Sequence, residues 1–110
     1  MYDLKIYKTA AGKEPYIDWL EGLDRTIRAR IHGRMARIRK TGNLGVYASV
    51  GEGVFELKWD FGPGYRVYFG FENDALLLLL LGGAKSGQQK DIDKAIGFWR
   101  NHLSSIGAKK

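Results

Sequence analysis

The sequence predicts a small α+β domain, a mostly antiparallel twisted sheet packed against helices in the order β-α-α-β-β-β-α. Three observations predict it. Two neighbouring segments alternate strictly between apolar and polar residues, two others repeat apolar residues at helical spacing, and a continuous apolar run follows the alternating pair. At 110 residues, 45% of them hydrophobic, the chain has material for one core, so residues 1–110 are expected to form a single domain.

The opening strand is expected over Tyr2–Lys8, where Leu4 and Ile6 alternate with Asp3 and Lys5. Glu14–Leu23 reads as a short helix with Pro15 in its first turn. Asp24 can cap a second helix that runs to about Lys40 and ends at Gly42. Its Ile27, Ile31, Met35 and Ile38 fall within an arc of about 80° and should face the core. Asn43–Gly53 is aperiodic and is expected to be a loop. Val54–Asp60 then places Phe55, Leu57 and Trp59 on one face, and Tyr65–Glu72 does the same with Tyr65, Val67, Phe69 and Phe71. Phe61-Gly-Pro-Gly64 turns the chain between these two strands.

Ala75–Leu81 lacks alternation and should be a strand buried on both faces at the sheet centre. A last helix is expected from about Gln88, with Ser86 and Gln89 in capping-box spacing and Ile92, Ala95, Ile96, Trp99, Leu103 and Ile106 as its apolar stripe. Trp19, Trp59 and Trp99 are expected in the core, and Ala108–Lys110 as a frayed tail.

Composition excludes several chemistries. The chain contains no cysteine, which removes disulfides, thiolate metal sites and cysteine nucleophiles. Met1–Lys8 alternates instead of forming an apolar leader, and Ala75–Leu81 falls well short of the roughly 20 apolar residues of a membrane span. A cytoplasmic protein without membrane association is expected. His32 and His102 are isolated in sequence, and no zinc, magnesium or nucleotide motif is present, so neither metal nor cofactor is expected.

Three features carry possible chemistry. The net charge is +6, and the second helix concentrates it: Arg25, Arg28, Arg30, Arg34, Arg37, Arg39 and Lys40 follow one another without an acidic residue. Such a helix forgoes the i,i+4 ion pairs of an ordinary solvated helix, and it reads as either a polyanion surface or a solvated face. In the hairpin, coincident apolar faces require an odd loop, for which three residues suffice. The opposite face then collects Glu56, Lys58, Asp60, Arg66 and Tyr68, with Lys58 and Arg66 facing each other or one pair offset. Like charges across a ladder are unfavourable, so this is either an anion site or a solvent face neutralised by Glu56 and Asp60. Finally, Gly82-Gly-Ala-Lys-Ser-Gly-Gln-Gln-Lys90 joins strand to helix, with Lys85, Ser86, Gln89 and Lys90 at the helix start. It is either a single-phosphate cradle or a plain connection, and its spacing is not that of a Walker A loop.

These same residues carry a family resemblance. Gly53-Val-Phe-Glu-Leu-Lys58, Gly62-Pro-Gly-Tyr-Arg-Val-Tyr-Phe69, Leu81-Gly-Gly-Ala-Lys85 and Gln89-Lys-Asp-Ile92, with Tyr7-Lys8 and Tyr16-Ile-Asp-Trp-Leu20, resemble the HigB-like addiction module killer branch of the RelE/ParE toxin superfamily. The resemblance spans about residues 2–104. It implies a RelE-like fold and the toxin of a type II toxin–antitoxin system, partnered by a helix-turn-helix antitoxin. It implies further a ribosome-dependent, metal-independent messenger RNA endonuclease in which Lys58, Arg66 and Lys85 surround the scissile phosphate. For the proton transfers Glu56 is a candidate base, a lysine could serve only with a strongly lowered pKa, and Tyr68 could stack on a base or carry a proton. Arg28, Arg30, Arg34, Arg37, Arg39 and Lys40, with Ser86, Gln89 and Lys90, are the expected contacts to RNA and ribosome. The alternatives are a ParE-like DNA gyrase inhibitor and an inactive, prophage-derived nucleic-acid-binding module.

Overall fold

The computed structural model describes residues 1–107; the expected frayed tail, Ala108–Lys110, lies outside the described residues. The elements are β1 (Asp3–Ile6), α1 (Pro15–Glu21), α2 (Arg25–Thr41), β2 (Tyr47–Gly51), β3 (Val54–Trp59), β4 (Tyr65–Asn73), β5 (Leu76–Ala84) and α3 (Gln88–Ser105), with a 3₁₀ turn over Lys85–Gly87. The class is α+β, as expected. The sheet has five strands in the order β1-β5-β4-β3-β2. It is mixed, because β1 pairs parallel to β5 while the other ladders are antiparallel.

Helix α2 begins and ends on the expected residues. The Asp24 carboxylate accepts from the Thr26 amide at 3.1 Å, and Gly42 stops the helix with φ 77°. Its Ile31, Met35 and Ile38 join Leu57, Trp59, Val67, Phe69, Leu77 and Leu79 in the core under α1 and α2. On the other sheet face, α3 lays Ala95 and Trp99 on Val54, Tyr68, Leu78, Leu80 and Leu81. Both faces of β5 are therefore covered, as its apolar run requires, although the middle strand is β4.

Three expectations are corrected. The expected loop Asn43–Gly53 contains β2, which pairs with β3 through a two-residue turn at Glu52 (φ 57°) and Gly53 (φ 85°). Positive φ at both turn residues matches the twist of a tight hairpin. The β3–β4 connection leaves five residues between the last pair, Trp59↔Tyr65, where three were expected; the parity, and so the shared face, is unchanged. The Ser86–Gln89 capping box does not form. Ser86 belongs to the 3₁₀ turn, Gly87 takes the cap position without a side-chain bond, and Gln89 donates to Asp93 at 3.0 Å.

An irregularity in the β4–β5 ladder determines which way the last residues of β5 point. Phe69 pairs with Leu79 but Tyr68 pairs with Leu81, leaving Leu80 as an extra residue. Leu80 and Leu81 consequently both face α3, and the alternation beyond them is inverted. Gly82 turns toward α1, where Trp19 lies so close that an added Cβ would come within 2.1 Å of its ring. Gly82→Ala should therefore cost about 1–3 kcal/mol of stability through overpacking, measured by denaturant unfolding. An unchanged midpoint would contradict the seating of Trp19 on β5.

Candidate functional site

Lys58 and Arg66 are paired directly across the β3–β4 ladder, and Glu56 pairs with Tyr68 one step further along the same face. The following strand brings Gly83 opposite Arg66 and Ala84 opposite Tyr65. The Lys85 amide then donates to the Gly64 carbonyl at 2.6 Å, tying the end of β5 to the hairpin loop. A Cβ built on Gly64 would lie 3.3 Å from Lys85 Cβ and 3.4 Å from Arg66 Nη1. Arg66 on β4 and the stem of Lys85, on the turn after β5, thus border the same point, and Gly64 (φ 78°) leaves the space between them. The three basic residues expected together are on one side of the sheet, the side covered by α3.

This face is buried, contrary to a solvent-facing reading. Arg66 is 5% exposed and Glu56 6%. Their side chains form an ion pair with Nε to Oε1 at 3.6 Å, and Gln88 Nε2 donates to the same Glu56 oxygen at 2.9 Å. Arg66 Nη1 donates to the Tyr65 carbonyl at 3.3 Å. Arg66 Nε thus faces the Glu56 carboxylate just beyond hydrogen-bond length, and among the described residues the buried hydroxyl of Tyr68 has no hydrogen-bond partner. Tyr68 is wholly buried and presents no face on which a base can stack, which corrects that part of its expected role. Burial, with the nearby Glu56 and Asp91 carboxylates, also raises its pKa well above the usual tyrosine value, so it stays protonated.

Around this floor stand the partly exposed Lys58 and the exposed Lys85, Ser86, Gln89 and Lys90. One residue that the sequence pattern did not single out also belongs here. The Asp91 carboxylate fills the space that a side chain on Gly83 would take; a Cβ there would come within 1.9 Å of Asp91 Oδ2. Desolvation raises its pKa, opposed by Lys94 and Lys90.

The arginines of α2 are not part of this cluster, because α2 covers the other sheet face. Arg34 is turned inward: its guanidinium donates to the carbonyls of Lys58, Leu44 and Val46 and lies over the Trp59 ring, 4.6 Å from the centroid. Burial and Arg37 lower its pKa from the usual arginine value. Arg28 donates to the Glu21 carbonyl at 3.3 Å, and Arg30 stacks over Phe61 at 3.6 Å. Arg37, Arg39 and Lys40 remain exposed. His102 is buried against Trp99 and bonded to Glu72 at 3.0 Å, far from the basic cluster along α3. Among the described residues, no three histidine or carboxylate side chains gather as a metal site, and no helix is long and apolar enough to cross a membrane.

Tyr68→Phe tests the orphaned hydroxyl. Removing an unpartnered buried group should leave stability equal or raise it by about 1 kcal/mol, read as the unfolding midpoint. A clear fall would show that the hydroxyl is already satisfied.

Residues 18–97 match the family described as Phage derived protein Gp49-like (DUF891). The chain is also 46% identical over 78 residues to a Haemophilus influenzae protein named "Uncharacterized protein", covering 70% of this chain and 78% of that one. The matched segment runs from within α1 into α3 and contains every residue of the basic cluster. The chain belongs to the phage-derived Gp49-like family.

Proposed function

We propose that the protein is the toxin of a type II toxin–antitoxin pair and cuts messenger RNA on the ribosome, as its resemblance to the HigB-like branch of the RelE superfamily implies. The observation that carries this reading is the convergence of Arg66 and Lys85 on Gly64, with Lys58 directly opposite Arg66. Two strands and the turn after a third contribute one basic residue each to this corner of the sheet. A phosphate is the ligand such a corner suits, with Arg66 Nη1 bordering Gly64 as a donor.

In the proposed reaction the 2′-hydroxyl attacks the adjacent phosphorus, the bond to the 5′-oxygen breaks, and a 2′,3′-cyclic phosphate forms. The need for a 2′-hydroxyl selects RNA over DNA. Arg66 and the two lysines stabilise the charge that develops on the phosphoryl oxygens. Arg66 acts by charge alone. The ribosome contributes alignment of the message, which makes free RNA a poor substrate. A helix-turn-helix antitoxin is the partner this reading requires.

The test is inducible expression followed by mapping of transcript 5′ ends. Wild-type protein should give cuts in translated messages, and Arg66→Ala should reduce them by roughly 10²–10³-fold. Growth arrest with intact transcripts and gyrase-linked DNA breaks would overturn the nuclease reading in favour of a gyrase inhibitor.

A further inference from the structure

We infer that Asp91 is the general base of this site, the group that takes the proton from the attacking 2′-hydroxyl. The inference rests on the nuclease reading above and gives a role to a residue that the family resemblance quoted only within the Gln89–Ile92 motif.

The cluster offers three groups for proton transfer, and geometry separates them. Glu56 is buried beneath the sheet–helix interface, and its Oε1 is committed to Gln88 at 2.9 Å and to Arg66 at 3.6 Å. Tyr68 is fully buried and is held protonated by its surroundings. Asp91 is partly exposed, and among the described residues its carboxylate has neither a hydrogen bond nor an ion pair. It is nevertheless held in place: it rests on the bare backbone of Gly83, beside Arg66 across the ladder, with Gly87 close by. The glycine is necessary, since any side chain at position 83 would displace the carboxylate. A partly exposed carboxylate left unpaired beside the cluster that holds Lys58, Arg66 and Lys85 is placed to take a proton from a ligand hydroxyl while the basic groups hold its phosphoryl oxygens.

The charges facing Asp91 fit the role. Lys94 and Lys90 of its own helix attract it, Arg66 of β4 pairs with the Gly83 on which it rests and with Lys58 of β3, the Glu56 carboxylate of β3 acts with it on the Tyr68 hydroxyl, and Lys85 follows at the end of β5. Desolvation nonetheless outweighs the attraction of the neighbouring lysines, so the carboxylate holds a proton more strongly than in water, as suits a base. In the balanced step the 2′-hydroxyl proton moves to Asp91, the 2′-oxygen bonds to phosphorus, and the departing 5′-oxygen takes a proton from the Lys85 ammonium. Solvent then returns Asp91 and Lys85 to their starting states.

The experiment uses the full chain on purified ribosomes carrying a defined message, with single-turnover cleavage monitored from acid to neutral pH. The wild-type rate should rise with pH on the acid side and level off as Asp91 ionises. Asp91→Asn should cut roughly 10²–10⁴-fold more slowly and lose that acid limb, whereas Asp91→Glu should recover part of the rate and retain it. Thermal unfolding separates folding from chemistry. A carboxyl whose pKa is raised on folding lowers stability while ionised, so Asp91→Asn should melt no lower than wild type at neutral pH. Wild-type cutting accompanied by equal cutting and an unchanged pH profile in Asp91→Asn would overturn the assignment of Asp91 and leave the nuclease reading standing. A message left intact by the wild-type protein would remove both.

Discussion

The extra residue in β5 is the constraint on which the site depends. Without Leu80 between the pairs Phe69↔Leu79 and Tyr68↔Leu81, the two glycines after Leu81 would exchange faces. Gly83 would then point at α1 and Gly82 at α3. With the bulge, Gly82 receives the Trp19 ring on one face and Gly83 receives the Asp91 carboxylate on the other. One packing contact thus anchors α1 to the sheet, while the neighbouring residue opens the polar cluster. The Lys85–Gly64 backbone bond then sets the lysine stem against the hairpin loop. Bulges next to functional sites commonly re-aim side chains in this way.

The same architecture divides the positive charge between two faces. Arg66 lies beneath α3 in an ion pair with Glu56, in surroundings dry enough that electrostatic contacts act strongly. The arginines of α2 lie across the sheet, where Arg34 fastens the helix to the segment leading into β2 and to β3. A helix of seven basic residues is therefore partly structural: three of its guanidiniums are occupied by carbonyls or aromatic rings of the protein itself. The exposed remainder lies on α2, and Arg30 over Phe61 brings that helix up to the hairpin loop.

Much of this was legible in the residues. Alternation located β3 and β4, and the parity of their apolar faces placed Lys58 opposite Arg66 whether the loop had three residues or five. Asp24 and Gly42 bounded α2 because capping is local chemistry. Strand β2 was not legible, since Tyr47–Ser49 and Gly51 are exposed at a sheet edge and carry no buried face to create a pattern. The parallel pairing of β1 with β5 joins residues from opposite parts of the chain, which no local signal encodes. Asp91 escaped notice because its place against Gly83 arises from the bulge and from how α3 docks. Arg34 read as an RNA contact because residue type cannot distinguish a free guanidinium from one clamped onto carbonyl groups.

We place one RNA phosphate between the hairpin and the end of β5, and the proposed chemistry stands or falls with that placement. The most direct measurement is a cryo-electron microscopy structure of the protein on a ribosome whose message carries a 2′-O-methyl group at the cut site. The scissile phosphate should lie within hydrogen-bonding reach of Arg66, flanked by Lys58 and Lys85, with α2 on the far side of the sheet. A message seated on α2, with the Arg66 face turned away from it, would contradict the placement.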